Sequence, residues 1–180
     1  MGEDKGLLLR DGTHWAQVAN EKIARFTGKT VLSISSSQRS DYSIQIPSVP
    51  LVEDYASYGV GGPLLGILSV HSTFPTEDLL VLACDLISMD ALVLQKLIDS
   101  YQNDNKSEAI VFKFEEAEPL CGIYSAAGLQ RILVDFLHGN LKRHSMKHVL
   151  ELLQTTYLSP DHNWRSYFAN INSPSDLPNS

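Results

Sequence analysis

An acidic residue stands directly after the most apolar run in the chain. Leu79-Leu-Val-Leu-Ala-Cys84 is followed by Asp85. Ending a buried strand on an ionised carboxylate is costly unless the charge meets a partner. A hard cation such as Mg²⁺ is one such partner, because it takes oxygen ligands and keeps phosphates and waters in its other positions. The competing reading makes Asp85 a turn residue or helix N-cap, sharing that work with Ser88 or Asp90. A second candidate is Gly61-Gly62-Pro63-Leu64. Glycines allow a backbone close to a base or phosphate, and a following helix N-terminus favours an anion. A tight strand-to-helix turn with Pro in the first helical turn has the same sequence. Lys5 is a phosphate partner or a solvated charge. Asn170 and Asn172 are polar ligands or the caps of a turn ahead of Pro174.

The elements that would position these residues follow from periodicity. Thr13–Phe26 has helical spacing and ends at Gly28. Thr30–Ser35 is a β-branched run with the polar stretch Ser35–Asp41 behind it. Pro50–Val52 is a short strand closed by Glu53 and Asp54. Leu64–His71 is a helix entered from the glycines. Leu79–Cys84, apolar on both faces, is expected as the central strand of a parallel sheet. Asp90–Tyr101 is an amphipathic helix and Ala109–Phe114 a strand. An acidic loop, Glu115–Pro119, precedes a strand at Leu120–Tyr124. Ala126–Leu137 and Met146–Leu153 are helices, and Phe168–Ile171 is a last strand. Strands alternating with helices predict a three-layer α/β/α sandwich around a mostly parallel sheet. In such sheets ligands bind beyond the carboxyl ends of the strands, where Ser35–Gln38, Asp54 and Asp85 all fall.

Composition narrows the function. Formal net charge is −7 over 180 residues, which argues against a nucleic-acid partner. The apolar runs are too short to span a bilayer, so no membrane role is expected. Cys84 and Cys121 are the only cysteines. They form neither a disulfide framework nor a zinc site, and they suit the reducing cytoplasm. His144 and His148 lie four apart without a carboxylate at a further matching spacing, so zinc is not expected there. The serines at 33 and 35–37 lack the glycines of a nucleophile elbow.

Five motifs in order, the second of them in two parts, resemble the molybdenum cofactor guanylyltransferase family. Met1-Gly2-Glu3-Asp4-Lys5 matches the end of that family's N-terminal signature, Leu-x-Gly-Gly-x-Ser-x-Arg-Met-Gly-x-Asp-Lys. Pro50-Leu-Val-Glu-Asp54 and Gly62-Pro63-Leu64-Leu65-Gly66 resemble Pro-Val-x-x-Asp and Gly-Pro-Leu-x-Gly. Cys84-Asp85-Leu86-Ile87 resembles Cys-Asp-x-Pro, and Pro119–Tyr124 resembles Pro-Leu-x-x-Leu-Tyr. Asn170-Ile-Asn172-Ser-Pro-Ser-Asp-Leu177 resembles Asn-Ile-Asn-Thr-Pro-Glu-Asp-Leu. The resemblance runs from Met1 to Leu177 and implies a nucleotide-diphospho-sugar transferase-like, Rossmann-like fold in one domain, residues 1–180.

It also implies roles. Lys5 would neutralise nucleotide phosphates, and Asp85 would ligate Mg²⁺. Asp54 with Gly61, Gly62, Pro63 and Leu64 would hold the nucleoside, and Asn170 and Asn172 would lie on the pterin side. The phosphate of molybdopterin would attack the α-phosphate of GTP and expel pyrophosphate. Partners would be GTP, molybdopterin, and proteins that deliver molybdopterin or mature molybdoenzymes. Three departures accompany the match. The family's first strand and most of its glycine loop precede the matched residues, so Met1 is expected to be the internal Met of Arg-Met-Gly. Unpaired ladder groups and a gap in the core are expected with it. The expected Pro after Cys-Asp is Ile87, which loosens the turn, and a common Asn is Ser35 or Ser36. A cytidylyltransferase acting on the same cofactor, or a non-catalytic nucleotide- or cofactor-binding module, are the alternatives.

Overall fold

The first departure from the periodicity is a tight turn. In the computed structural model, which describes residues 4–59, 61–104 and 106–171, a short 3-10 turn, Lys5–Leu7, leads into a hairpin of β1 (Leu9–Arg10) and β2 (Thr13–His14). Asp11 and Gly12 form the turn, both at positive φ (51° and 81°). An Asp-Gly pair favours this two-residue connection. The hairpin takes Thr13 and His14, so the helix expected from Thr13 begins at Trp15 and ends at Ile23 (α1).

β3 (Leu32–Ile34) pairs in parallel with β4 (Leu51–Glu53), and the helix α2 (Arg39–Gln45) lies in the connection. After α3 (Pro63–Thr73), β5 (Leu79–Leu82) opens a second sheet. It is completed by β6 (Ala109–Lys113), β7 (Ala117–Tyr124) and β8 (Thr155–Leu158), in the order β5-β7-β6-β8. The helices α4 (Ala91–Gln102), α5 (Ala126–Leu137) and α6 (Met146–Leu152) cover it. β7 runs antiparallel to both neighbours and β6 runs parallel to β8. The sheet is therefore mixed rather than mostly parallel. The cause is the connection: only Phe114, Glu115 and Glu116 separate β6 from β7, and so short a link permits only an antiparallel pair. Part of the expected acidic loop, Ala117–Pro119, joins the strand.

The three layers are visible along β6. Ala109 and Val111 pack with Leu64, Leu68, Leu129, Ile132 and Val149 on one face. Ile110 and Phe112 pack with Leu94, Leu97 and Phe168 on the other. This alternation places helices on both sides of the sheet.

Two other expectations change. β5 stands at an end of its sheet, not at the centre, and all four of its residues are only partly buried. Apolarity on both faces reports the covering helices, not a neighbour on each edge. The segment expected as a strand at Phe168–Ile171 is instead the end of a 3-10 helix, His162–Phe168, followed by extended residues. Its aromatic residues are used against Phe112, with Phe168 at 5.3 Å and Trp164 at 6.1 Å between ring centroids.

Gly122 faces Val111 across the β6–β7 ladder. A Cβ there would lie 2.6 Å from Val111 Cγ1 and 3.0 Å from the Ile110 carbonyl oxygen. Gly122→Ala is expected to destabilise the fold by about 1–3 kcal/mol through overpacking. Urea unfolding would read this as a lower midpoint with an unchanged slope; a wild-type midpoint would contradict the packing described.

Candidate functional site

Beyond β5 the chain keeps one more ladder bond, from Ala83 N–H to the Leu120 carbonyl, and then turns at Asp85. Lys5 Nζ donates to Asp85 Oδ2 at 3.0 Å, across 80 residues of sequence. The side chains are 37% and 20% exposed, so the pair sits at a rim. Capping of α4 belongs to Asp90, whose carboxylate accepts from Leu92 N–H at 2.8 Å. Asp85 stands in the turn, as one part of its alternative reading had it, but the N-cap belongs to Asp90 and the Asp85 carboxylate is left to Lys5. Lys5 likewise is not a plain solvated charge.

The loop after Asp85 is held firmly although Ile87 replaces the expected Pro. The Ile87 side chain is buried against Trp15 and Ile171. Its carbonyl accepts from Arg10 Nη1 at 3.1 Å and from Lys22 Nζ at 2.5 Å. Burial, reinforced by the Arg10 charge, lowers the Lys22 ammonium to about 8. Ile171 N–H donates to the Asp85 carbonyl at 3.2 Å. This brings the exposed Asn170 beside the acid. Asn172 lies outside the described residues.

Asp4 is the residue that motif reading passed over. Its Oδ1 accepts from Gly6 N–H and Tyr42 O–H, both at 3.0 Å, and its Oδ2 accepts from Gln38 Nε2 at 2.5 Å. Gln38 Oε1 in turn accepts from Ser35 N–H at 2.8 Å and Ser35 O–H at 3.0 Å. The polar turn after β3 is therefore clamped to the residue that precedes Lys5. Gly6 is required for this: a Cβ there would lie 1.9 Å from Tyr42 Oη. The available signal was Asp4 standing next to Lys5 in the matched signature.

Asp54 follows β4, with its N–H donating to the Ile34 carbonyl at 2.8 Å. Ser33 O–H donates to its carboxylate at 3.4 Å. Burial pushes the Asp54 carboxyl above its ordinary value, and the Ser33 hydrogen bond opposes that rise. Gly66 on α3 leaves room for the pair, since a Cβ would come within 2.6 Å of Ser33 Oγ. Gly62, at φ 82°, sets the entry to α3, and Pro63 takes its first position.

One cleft of about 750 Å³ is lined by Ser33, Gln38, Asp54, Gly62, Pro63 and Asp85, among others. Asp54 and the glycine turn thus share a wall system with the Lys5–Asp85 pair. Gly61 is exposed at the turn. The Leu64 side chain is fully buried among Leu68, Leu129 and Ile132, so only its main chain is available to a ligand.

The chemistry of this arrangement is charge neutralisation. Cys84, beside Asp85, is no nucleophile: burial first, then the negative charges of Asp85 and Asp4, push its thiol up to about 11. Among the described residues no three His, Cys, Asp or Glu side chains gather to hold a metal. A hard cation at Asp85 would accordingly draw its other oxygens from phosphate and water. His144 lies edge-on to Phe136 and His148 pairs with Glu151, so these two histidines serve local contacts. No helix among the described residues is long and apolar enough to cross a membrane.

Comparison with known proteins places this geometry. The model of the MobA-like NTP transferase domain matches residues 1–156. The chain belongs to that family of nucleotidyltransferases. A probable molybdenum cofactor guanylyltransferase of Flavobacterium johnsoniae is 30% identical over 98% of this chain and 87% of its own length. A molybdenum cofactor biosynthesis bifunctional protein of Synechocystis is 28% identical over 98% of this chain, which spans about half (48%) of that protein. The crystal structure of molybdopterin-guanine dinucleotide biosynthesis protein A from Archaeoglobus fulgidus superposes with a TM-score of 0.76 at 21% identity, covering 97% of this chain and 87% of the other. That likeness shows the fold, a layered α/β architecture.

The raised Asp54 value has a consequence for stability. A carboxyl whose folded value lies above the ordinary 3.8 contributes stability below that value and loses it as pH rises through the folded value. At neutral pH the ionised Asp54 therefore weakens the fold. Asp54→Asn is expected to raise the urea midpoint at neutral pH, with the gain vanishing below the ordinary carboxylate range. A destabilised variant at neutral pH would contradict this.

Proposed function

We propose that this chain transfers GMP from GTP to molybdopterin and releases pyrophosphate. The observation that carries the reading is the Lys5–Asp85 pair at the mouth of a cleft whose opposite wall is the N-terminus of α3. The names of the relatives supply the substrates. An oxygen of the molybdopterin phosphate attacks the α-phosphorus of GTP. A new P–O–P bond forms, the bond to the β-phosphate oxygen breaks, and pyrophosphate leaves with the electron pair. Such transfer needs positioning and charge neutralisation rather than a covalent nucleophile.

Lys5 turns from Asp85 to the triphosphate and holds it. Asp85, a hard oxygen donor on the rim, suits Mg²⁺, which would supply further neutralisation of phosphate charge when bound. The N–H groups at the start of α3 face the nucleotide, and Asp54 with Ser33 contacts the nucleoside. Asn170, beside the Asp85 loop, lies on the side of the pterin, with Asn172 continuing that segment. The two unpaired thiols suit a cytoplasmic setting. Proteins that deliver molybdopterin or receive the finished cofactor are the partners this activity requires.

Pyrophosphate release from GTP in the presence of molybdopterin and magnesium tests the reading. Asp85→Asn and Lys5→Ala are each expected to lower kcat/KM by about 10²-fold or more, with CTP turned over more slowly than GTP. Faster turnover of CTP would favour a cytidylyltransferase. GTP binding without any pyrophosphate release would favour a non-catalytic module, and full activity in Asp85→Asn would remove that residue from the mechanism.

A further inference from the structure

The turn that carries Asp85 is held by main-chain bonds on both sides. Ala83 N–H donates to the Leu120 carbonyl, Leu86 N–H to the Ala83 carbonyl and Met89 N–H to the Leu86 carbonyl. Ile171 N–H reaches the Asp85 carbonyl at 3.2 Å. These are neutral hydrogen bonds. The Ile87 carbonyl is different, because both of its lone pairs are taken by cations, Arg10 Nη1 at 3.1 Å and Lys22 Nζ at 2.5 Å. The two donors come from separate elements, Arg10 from β1 and Lys22 from the last turn of α1. They reach Ile87 across 77 and 65 residues of sequence.

The fold gains little from the second cation. One donor satisfies a carbonyl, and two like charges side by side repel. Burial disfavours the Lys22 ammonium, Arg10 adds to this, Asp90 opposes it and Arg25 adds again, leaving the group at about 8. Lys22 is therefore charged at neutral pH at a cost to stability. A costly arrangement that persists points to a constraint other than stability.

What the pair can do follows from the peptide that it grips. Ile87 stands two residues after Asp85, and its side chain is locked against Trp15 and Ile171. Charge-assisted bonds to its carbonyl are roughly twice as strong as neutral ones. The Asp85 carboxylate accepts from Lys5. Once Lys5 turns to the phosphates, no other hydrogen bond from a described residue aims that carboxylate. Its direction then depends on the turn alone. We infer that Arg10 and Lys22 are positioning residues, which act through the Ile87 carbonyl to hold the Asp85 turn in the form that receives a divalent ion while Lys5 leaves. The inference rests on the proposed transfer reading and adds the source of the turn's rigidity. Ile87 stands where a Pro was expected, and the two cations supply the restraint that a ring would have given.

Three variants of the whole chain test this: Lys22→Met, Lys22→Arg, and Arg10→Met combined with Lys22→Met. Calorimetry gives GTP affinity with and without magnesium. Amide exchange at Ile171 reports on the turn in the ion-free chain, and urea unfolding reports on the fold. In the double variant the magnesium-dependent gain in GTP affinity is expected to fall about tenfold or more. Affinity without magnesium is expected to stay unchanged, and exchange at Ile171 to be about tenfold faster. Lys22→Met is expected to lose about threefold of the gain, with a urea midpoint at or above wild type at neutral pH, because the buried charge is gone. Lys22→Arg keeps the charge and is expected to restore the gain. A lower midpoint in Lys22→Met with the gain intact is the signature of a merely structural tie and would overturn the inference. So would a wild-type gain in the double variant. If Asp85→Asn keeps the gain, the transfer reading and this inference fall together. If Asp85→Asn loses it and the double variant keeps it, this inference alone falls.

Discussion

The contact between Lys5 and Asp85 joins the first turn of the chain to the end of β5. As an energy term it is small, because an ion pair still reached by solvent contributes little to stability. Its importance is position. The neighbouring Asp4 binds Gln38 and Tyr42, so two successive residues tie the N-terminal segment to the ends of β3 and β5 together. The loop beyond Asp85 is fixed from below by Arg10 and Lys22 on the Ile87 carbonyl. A carboxylate and an ammonium are thereby presented at one end of a cleft with their surroundings already ordered. Preorganised charge of this kind is what phosphoryl and nucleotidyl transfer demand of a protein.

Missing side chains matter as much as present ones. Gly6 leaves the space Tyr42 needs to reach Asp4, and Gly66 leaves the space for Ser33 beside Asp54. Gly62 turns the chain into α3 with a positive φ. Each is a point where a Cβ or an ordinary backbone conformation would shift a polar group lining the cleft. Two of these glycines stand in the segments that resemble the family, which gives those segments a physical meaning.

Much of the architecture was legible. The continuous apolar run at 79–84 marked β5 and the acid that ends it, and the spacing at 64–71 marked α3. Asp85 was separable from a cap only in three dimensions, once Asp90 was seen holding Leu92 N–H. The hairpin before α1 was hidden because Thr13 and His14 fit a helical pattern that the Asp11-Gly12 turn overrides. β8 escaped notice because Thr155–Leu158 has only partly buried or exposed residues and a short length. The mixed sheet depended on a three-residue connection rather than on any strand's composition. Leu64 was assigned to the ligand because it sits in a motif, while its apolar side chain belongs to the core beneath. Asp4 carries no periodic signal at all, and its role emerges only from residues more than thirty positions away.

In the proposed reaction Asp85 would exchange Lys5 for a divalent ion when nucleotide enters. Calorimetric titration of GTP with and without magnesium measures this directly. The account predicts that magnesium tightens GTP binding to the wild-type chain, that the gain survives in Lys5→Ala, and that it disappears in Asp85→Asn. An equal magnesium-dependent gain in Asp85→Asn would contradict it.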